Sequence, residues 1–147
     1  MAADVLPLTL TLPSELCLLP VARAFVEAVC QAGRLEQNVI DTIGVALHEA
    51  ISNVIRHAHR DRPGAQLQIH CYLTSETVEI HVLDEGEPFD LQAVPQLDPA
   101  ELRLGGRGVF LMRALMDEIS CQPRGQRGNI LRMVKRCQRG SAASRLV

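Results

Sequence analysis

The run from Leu35 to His59, which has no proline and a single glycine, Gly44, constrains the fold most. Ile40, Ile43, Leu47, Ile51 and Val54 recur at three- and four-residue steps, the signature of one buried helical stripe. Glu49, Asn53 and His57 recur every four residues, so they stack along a different face of the same helix. A carboxylate one turn before a carboxamide, beside a buried stripe, lines a cleft when another element lies opposite. A solvated polar face is the alternative.

The rest of the chain supplies that opposite element. Leu6 to Leu12 alternates and reads as a first strand. Ser14 is placed to cap a helix over Leu16 to Ala32, with Pro20 near its first turns and Gly33 as its C-terminal cap. Leu67 to Leu73 and Val78 to Leu83 read as a hairpin joined by Thr74 to Thr77. A long connection follows, from Glu85 to Arg107, with little periodicity; its length suggests a mobile, functional loop. A helix from Gly108 to about Glu118 should bury Met112, Leu115, Met116 and Ile119. Ile119 to Gln122 and Asn129 to Arg136 read as strands around a turn. The order β-α-α-β-β-loop-α-β-β predicts an α+β two-layer sandwich, with helices on one face of a mixed, mostly antiparallel sheet of about five strands. Residues 1–137 are expected to form one domain and 138–147 a disordered tail.

Composition narrows the function classes. The chain has 147 residues and a net charge of −2, so no global field points to nucleic acid or to a membrane surface. It contains no apolar run long enough to cross a bilayer and no basic-then-apolar leader, and is expected to be cytoplasmic. Five scattered cysteines include no C-x-x-C and read as thiols of a reducing compartment. His57 and His59 would point apart on a helix, which argues against a metal between them. The stretch from Cys121 to Val147 has seven basic residues and no acid, but no aromatic residue for base stacking. Direct nucleic-acid binding is therefore not expected.

Phosphate chemistry remains open. The only lysine, Lys135, has no P-loop glycines ahead of it, and Gly105 to Gly108 does not follow a strand as a dinucleotide fingerprint would. What is left is a glycine-rich loop entering a helix, whose free N–H groups and dipole attract phosphate. Gly105, Gly106 and Gly108 let backbone approach a ligand, and Arg107 is placed to reach a terminal phosphate. A hinge for a flexible lid is the competing reading. Asn53 offers a neutral oxygen suited to Mg²⁺. Glu49 can accept a proton from an attacking hydroxyl. Arg56 and His57 are candidates to approach phosphate, and His57 reads equally well as a packed surface histidine.

Three motifs in order, Glu49-x-x-x-Asn53 on a helix, Asp84-Glu85-Gly86 at a strand end and Gly106-Arg107-Gly108 before a helix, resemble the GHKL (Bergerat-fold) ATP-binding family. Within it, Asp84 to Asp90 and Gly105 to Ile119 look most like the bacterial anti-sigma-factor serine/threonine kinases. The resemblance spans about residues 6 to 136. It implies that Asp84 accepts from the adenine amino group, that Gly86 lets backbone pass under the base, and that Gly105, Gly106, Arg107, Gly108 and Val109 take the phosphates of ATP. The family often has a further glycine where this chain has Pro88, which stiffens the start of the lid.

The function so implied is a Mg²⁺–ATP-dependent protein kinase, with Asn53 on the metal and Glu49 as catalytic base. The implied partner is a STAS-type anti-anti-sigma protein. A sequestered sigma factor and a homodimer are further expectations. The alternative is a non-catalytic, ATP-binding interaction module, against which the presence of Glu49 argues. A two-component histidine kinase core is disfavoured, since no phosphoacceptor helical hairpin precedes the first strand.

Overall fold

The computed structural model describes residues 7–91 and 107–137, apart from the side chain of Arg107. Along the chain run β1 (Leu8–Pro13), a 3-10 turn (Leu16–Leu18), α1 (Leu19–Ala32), α2 (Gln37–Asn53), a π turn (Val54–Ala58), β2 (Gln66–Leu73), β3 (Thr77–Leu83), α3 (Arg107–Leu115), β4 (Glu118–Pro123) and β5 (Asn129–Arg136). The five strands form one sheet in the order β1-β2-β3-β5-β4, and all four pairings are antiparallel. The expected α+β sandwich is observed, with its sheet antiparallel throughout.

Strand alternation explains the two faces of the sheet. Leu67, Ile69 and Cys71 of β2, Val78, Ile80 and Val82 of β3 and Met133 of β5 are fully buried. They share one apolar cluster with Ala22, Val26 and Cys30 of α1, with Ile43, Leu47 and Ile51 of α2 and with Met112 of α3. The other face carries Tyr72, Glu79, His81 and Arg132, where Glu79 Oε1 accepts from Arg132 Nε at 2.6 Å and lies 2.7 Å from His81 Nε2. Burying one face and wetting the other is how an antiparallel sheet with a single helical layer satisfies both solvents.

Local departures from the sequence reading have physical causes. Ser14 does not cap a helix; no side chain caps the 3-10 turn or α1, and the Ser14 hydroxyl lies instead 2.7 Å from His59 Nδ1. Pro20 sits in the first positions of α1, where its missing N–H has no helical partner to lose. Gly33 is the C-cap but keeps φ −75°, and the left-handed residue is Arg34, at φ 57°. The motif helix is α-helical only to Asn53; the next five residues widen into a π turn, a distortion often found at functional sites. α3 ends at Leu115, so Ile119 packs from β4. The tail over 138–147 and the connection from 92 to 106 lie outside the described residues.

Candidate active site

The site is built at the end of the central strand β3 and its neighbour β5. Asp84 follows β3, and its N–H continues the ladder to the Asn129 carbonyl at 3.0 Å. The residue is 5% exposed. Oδ1 accepts from Gly86 N at 2.8 Å, Asn129 N at 3.1 Å and Asn129 Nδ2 at 3.1 Å. No hydrogen bond among the described residues reaches Oδ2. A buried carboxylate oxygen without a donor is costly, so Oδ2 calls for a ligand N–H.

Asp84 lines a cleft of about 310 Å³, within the usual range for small-molecule sites. Asn53, Val54, His57 and Ala58 form one wall, Val109 and Met112 of α3 another, and Pro88, Phe89 and Leu91 a third. Cys121 and Leu131 reach it from the sheet. The Cys121 thiol is pushed up to about 11 by burial, with the Asp84 and Asp90 charges adding to it, so it stays protonated and unreactive.

The turn after Asp84 is fixed from several sides. Asn129 Nδ2 also donates to Glu87 O at 2.8 Å, and Asn129 Oδ1 accepts from Phe89 N at 2.9 Å. Gly128 N donates to Gly86 O at 2.9 Å. Arg62 donates to Glu85 O at 2.7 Å and also pairs with Glu87. Glu85 N donates to His59 Nε2 at 2.8 Å. Gly86 packs flat on the π turn: a Cβ there would come within 2.5 Å of Ala58 Cβ and 2.8 Å of its carbonyl. The start of the long connection, up to Leu91, is therefore anchored; the rest of the expected mobile segment lies outside the described residues.

At the other end of the cleft, α3 begins against α2. A Cβ on Gly108 would lie 3.0 Å from both Glu49 Oε2 and Asn53 Nδ2, so the absence of a side chain lets the helix start seat on both groups. Glu49 and Asn53 are half-buried, and their side chains make no hydrogen bond to any described residue. An N-terminal helix turn beside two uncommitted oxygens fits the phosphates of a nucleotide and a hydrated divalent cation.

Of the residues expected from sequence, Asn53, His57, Asp84 and Val109 line the cleft, Gly86 supports it from below, and Gly108 touches Asn53 and Glu49. Glu49 itself does not line the cleft, although the adjacent Ala50 does. His57 is exposed. Gly105 and Gly106 lie outside the described residues, as does the Arg107 side chain. Sequence reasoning missed Asn129, His59 and Arg62. The Gly128-Asn129 pair opening the last strand was a usable signal for the first. The other two depend on the π turn, which nothing in the sequence marks.

Residues 12–135 match the family described as the histidine kinase-like ATPase domain, and the chain belongs to that family. The serine-protein kinase RsbW of Oceanobacillus iheyensis is 35% identical, over 67% of this chain and 68% of that protein. RsbW of Halalkalibacterium halodurans is 30% identical over 93% and 87%. The fold also matches the RsbU and RsbW domains of a Mycobacterium tuberculosis protein, at TM-score 0.66 and 18% identity, over 91% of this chain and 33% of that longer one. It matches the SiaB–SiaC complex of Pseudomonas aeruginosa at TM-score 0.67 and 15% identity, over 86% and 88%. Within its family the chain is thus an ATP-using protein kinase of the anti-sigma-factor class. No described helix is long and apolar enough to cross a membrane.

Proposed function

We propose that this chain binds Mg²⁺–ATP in the cleft between α2, α3 and the β3–β5 end, and phosphorylates a serine or threonine of a STAS-type antagonist protein. Sequestration of a sigma factor, a homodimeric state and a cytoplasmic location belong to the same reading. The observation that carries it is the pairing of Asp84 Oδ2, buried and without a donor, with Glu49 and Asn53 seated together on Gly108.

Asp84 Oδ2 would accept from the adenine amino group. Guanine presents a carbonyl there, and two facing acceptors repel, so the site should reject GTP. Asn53 Oδ1 would take a position on Mg²⁺, and the α3 N-terminus, with Gly105, Gly106 and Arg107 ahead of it, would hold phosphate. ATP and its metal supply the transferable phosphoryl group and neutralise its charge. The chain's own task is to position the groups and to accept a proton at Glu49 from the attacking hydroxyl.

Glu49→Gln keeps the size but cannot take the proton. Transfer of labelled phosphate to the copurified partner should fall by roughly 10²–10⁴-fold while ATP affinity holds. One observation favours a second reading: Glu49 is not among the residues that line the cleft, although its neighbour Ala50 is. If Glu49→Gln transfers at the wild-type rate, Glu49 is not the base. If the wild type transfers to no partner, the chain is an ATP-gated interaction module.

A further inference from the structure

His59 directly follows Ala58 of the cleft wall but does not itself line the cleft. The residue is 6% exposed, and its ring bridges two distant segments. Nε2 accepts from the backbone N–H of Glu85, the residue after Asp84, at 2.8 Å. A peptide N–H can only donate, so this nitrogen must carry the lone pair. The proton then sits on Nδ1, which faces the Ser14 hydroxyl at 2.7 Å. The neutral imidazole is thus held in one tautomer.

We propose that His59 is a positioning residue for the nucleotide: its neutral ring holds the Asp84–Glu85 peptide in the orientation that aims Asp84 Oδ2 into the cleft, and its protonation releases that peptide. The inference rests on the reading that Asp84 takes the adenine. Once protonated, the ring would bring an N–H against the Glu85 N–H, and one of the two must turn away.

The groups around the ring fit this role. From the end of β3, Asp84 and Glu85 bring negative charge that favours protonation; from the turn after the π segment, Arg62 opposes it. Ser14, from the end of β1, adds only a hydroxyl. Burial is the largest influence, and the net direction is below the usual histidine value of 6.5. A group whose folded value is lowered delivers its contribution fully above the ordinary value and loses it as pH falls through the folded one. Nucleotide affinity should therefore hold at neutral pH and weaken as pH falls through the ring's lowered value.

The experiment is calorimetric titration of the full chain with ADP between about pH 5.5 and 8. Wild type, His59→Gln and His59→Phe are compared. The Gln carbonyl can accept from Glu85 N without titrating, so this variant should match the wild type at neutral pH and bind more tightly than it in acid. His59→Phe keeps the ring but has no acceptor, and should bind on the order of tenfold more weakly at neutral pH, the cost of one orphaned buried donor. Protonation of ADP itself is common to all three and cancels in the ratios. A wild-type to His59→Gln ratio that stays flat with pH overturns the proposal, and so does His59→Phe binding as tightly as wild type. If His59→Phe fails to fold, the ratio alone decides. Asp84→Asn in the same series separates the two readings: unchanged binding there removes the adenine assignment, whereas weakened binding with a flat ratio removes His59 only.

Discussion

The two ends of the cleft are built differently. At the base end, Asp84 Oδ1 carries three hydrogen bonds, and Asn129, Arg62 and His59 tie down the backbone of Glu85, Glu87 and Phe89. At the phosphate end, the side chains of Glu49 and Asn53 meet the first turn of α3 with no hydrogen bond to any described residue. The difference follows from the chemistry each end must do. A flat base with a fixed donor pattern is best met by a rigid acceptor, because ordering that acceptor beforehand removes its entropy from the binding step. Phosphates and a hydrated cation need groups that stay available until the ligand arrives, since a carboxamide already satisfied by protein would have to be freed first.

Substitutions should break the two ends in distinguishable ways. Asn53→Ala touches the phosphate end and should have a larger effect than Asp84→Asn or Arg132→Gln. Metal–nucleotide affinity and phosphate transfer should fall together, transfer by on the order of 10²-fold, the scale of losing one group that stabilises transferring charge. Nucleotide titration alongside a transfer assay measures both, and a variant that keeps Mg²⁺-dependent ATP binding would remove Asn53 from the metal.

Asp84→Asn touches the base end. Its amide can keep an oxygen toward Gly86 and Asn129, but then presents N–H₂ to the adenine amino group. ATP binding should weaken by about 1–3 kcal/mol. Calorimetry with ATP and GTP is the check; wild-type protein that binds GTP as tightly as ATP would show that Asp84 does not read the base.

Arg132→Gln, on the far face of the sheet, gives the smallest effect and acts as the control for both ends. Burial works to raise the Glu79 carboxyl, but hydrogen bonds from Arg132 and His81 outweigh it and hold it below the usual value. Glu79 is a quarter exposed, so removing Arg132 should cost no more than about 1 kcal/mol at neutral pH. A lowered carboxylate contributes above its ordinary value of 4.5 and loses that contribution as pH falls through the folded one. Denaturant melts of wild type and variant should therefore converge in acid, with ATP affinity equal throughout. A variant that loses nucleotide binding would couple the outer face to the cleft.

Much of this was legible in the sequence because it depends on periodicity. The helical stripe of α2, the alternation in β2 and β3 and the placement of Asn53, Asp84 and Gly108 all follow from spacing and residue type. The base end was legible only in part. Asp84 was marked by the glycine two residues on, but Asn129 comes from a strand 45 residues later and meets it only through sheet pairing. His57 and His59 were expected to point apart and do, His57 to the cleft and His59 to Ser14 and Glu85; what the sequence did not mark is the π turn that precedes His59 and the partners its ring finds there. Ser14 looked like a helix cap because its type suits one, and a tertiary partner took its hydroxyl instead.

Amide hydrogen exchange without and with Mg²⁺–ATP tests the contrast between the two ends most directly. The N–H groups of Glu85, Gly86, Phe89 and Asn129 are already bonded, so they should be protected without nucleotide and gain little from it. The amides opening α3 have no helical acceptors, and should exchange freely alone and gain protection when ATP is added. Fast exchange at Gly86, Phe89 and Asn129 in the free protein, or equal protection of the α3 N-terminus in both states, would contradict a preformed base pocket joined to a ligand-ordered phosphate site.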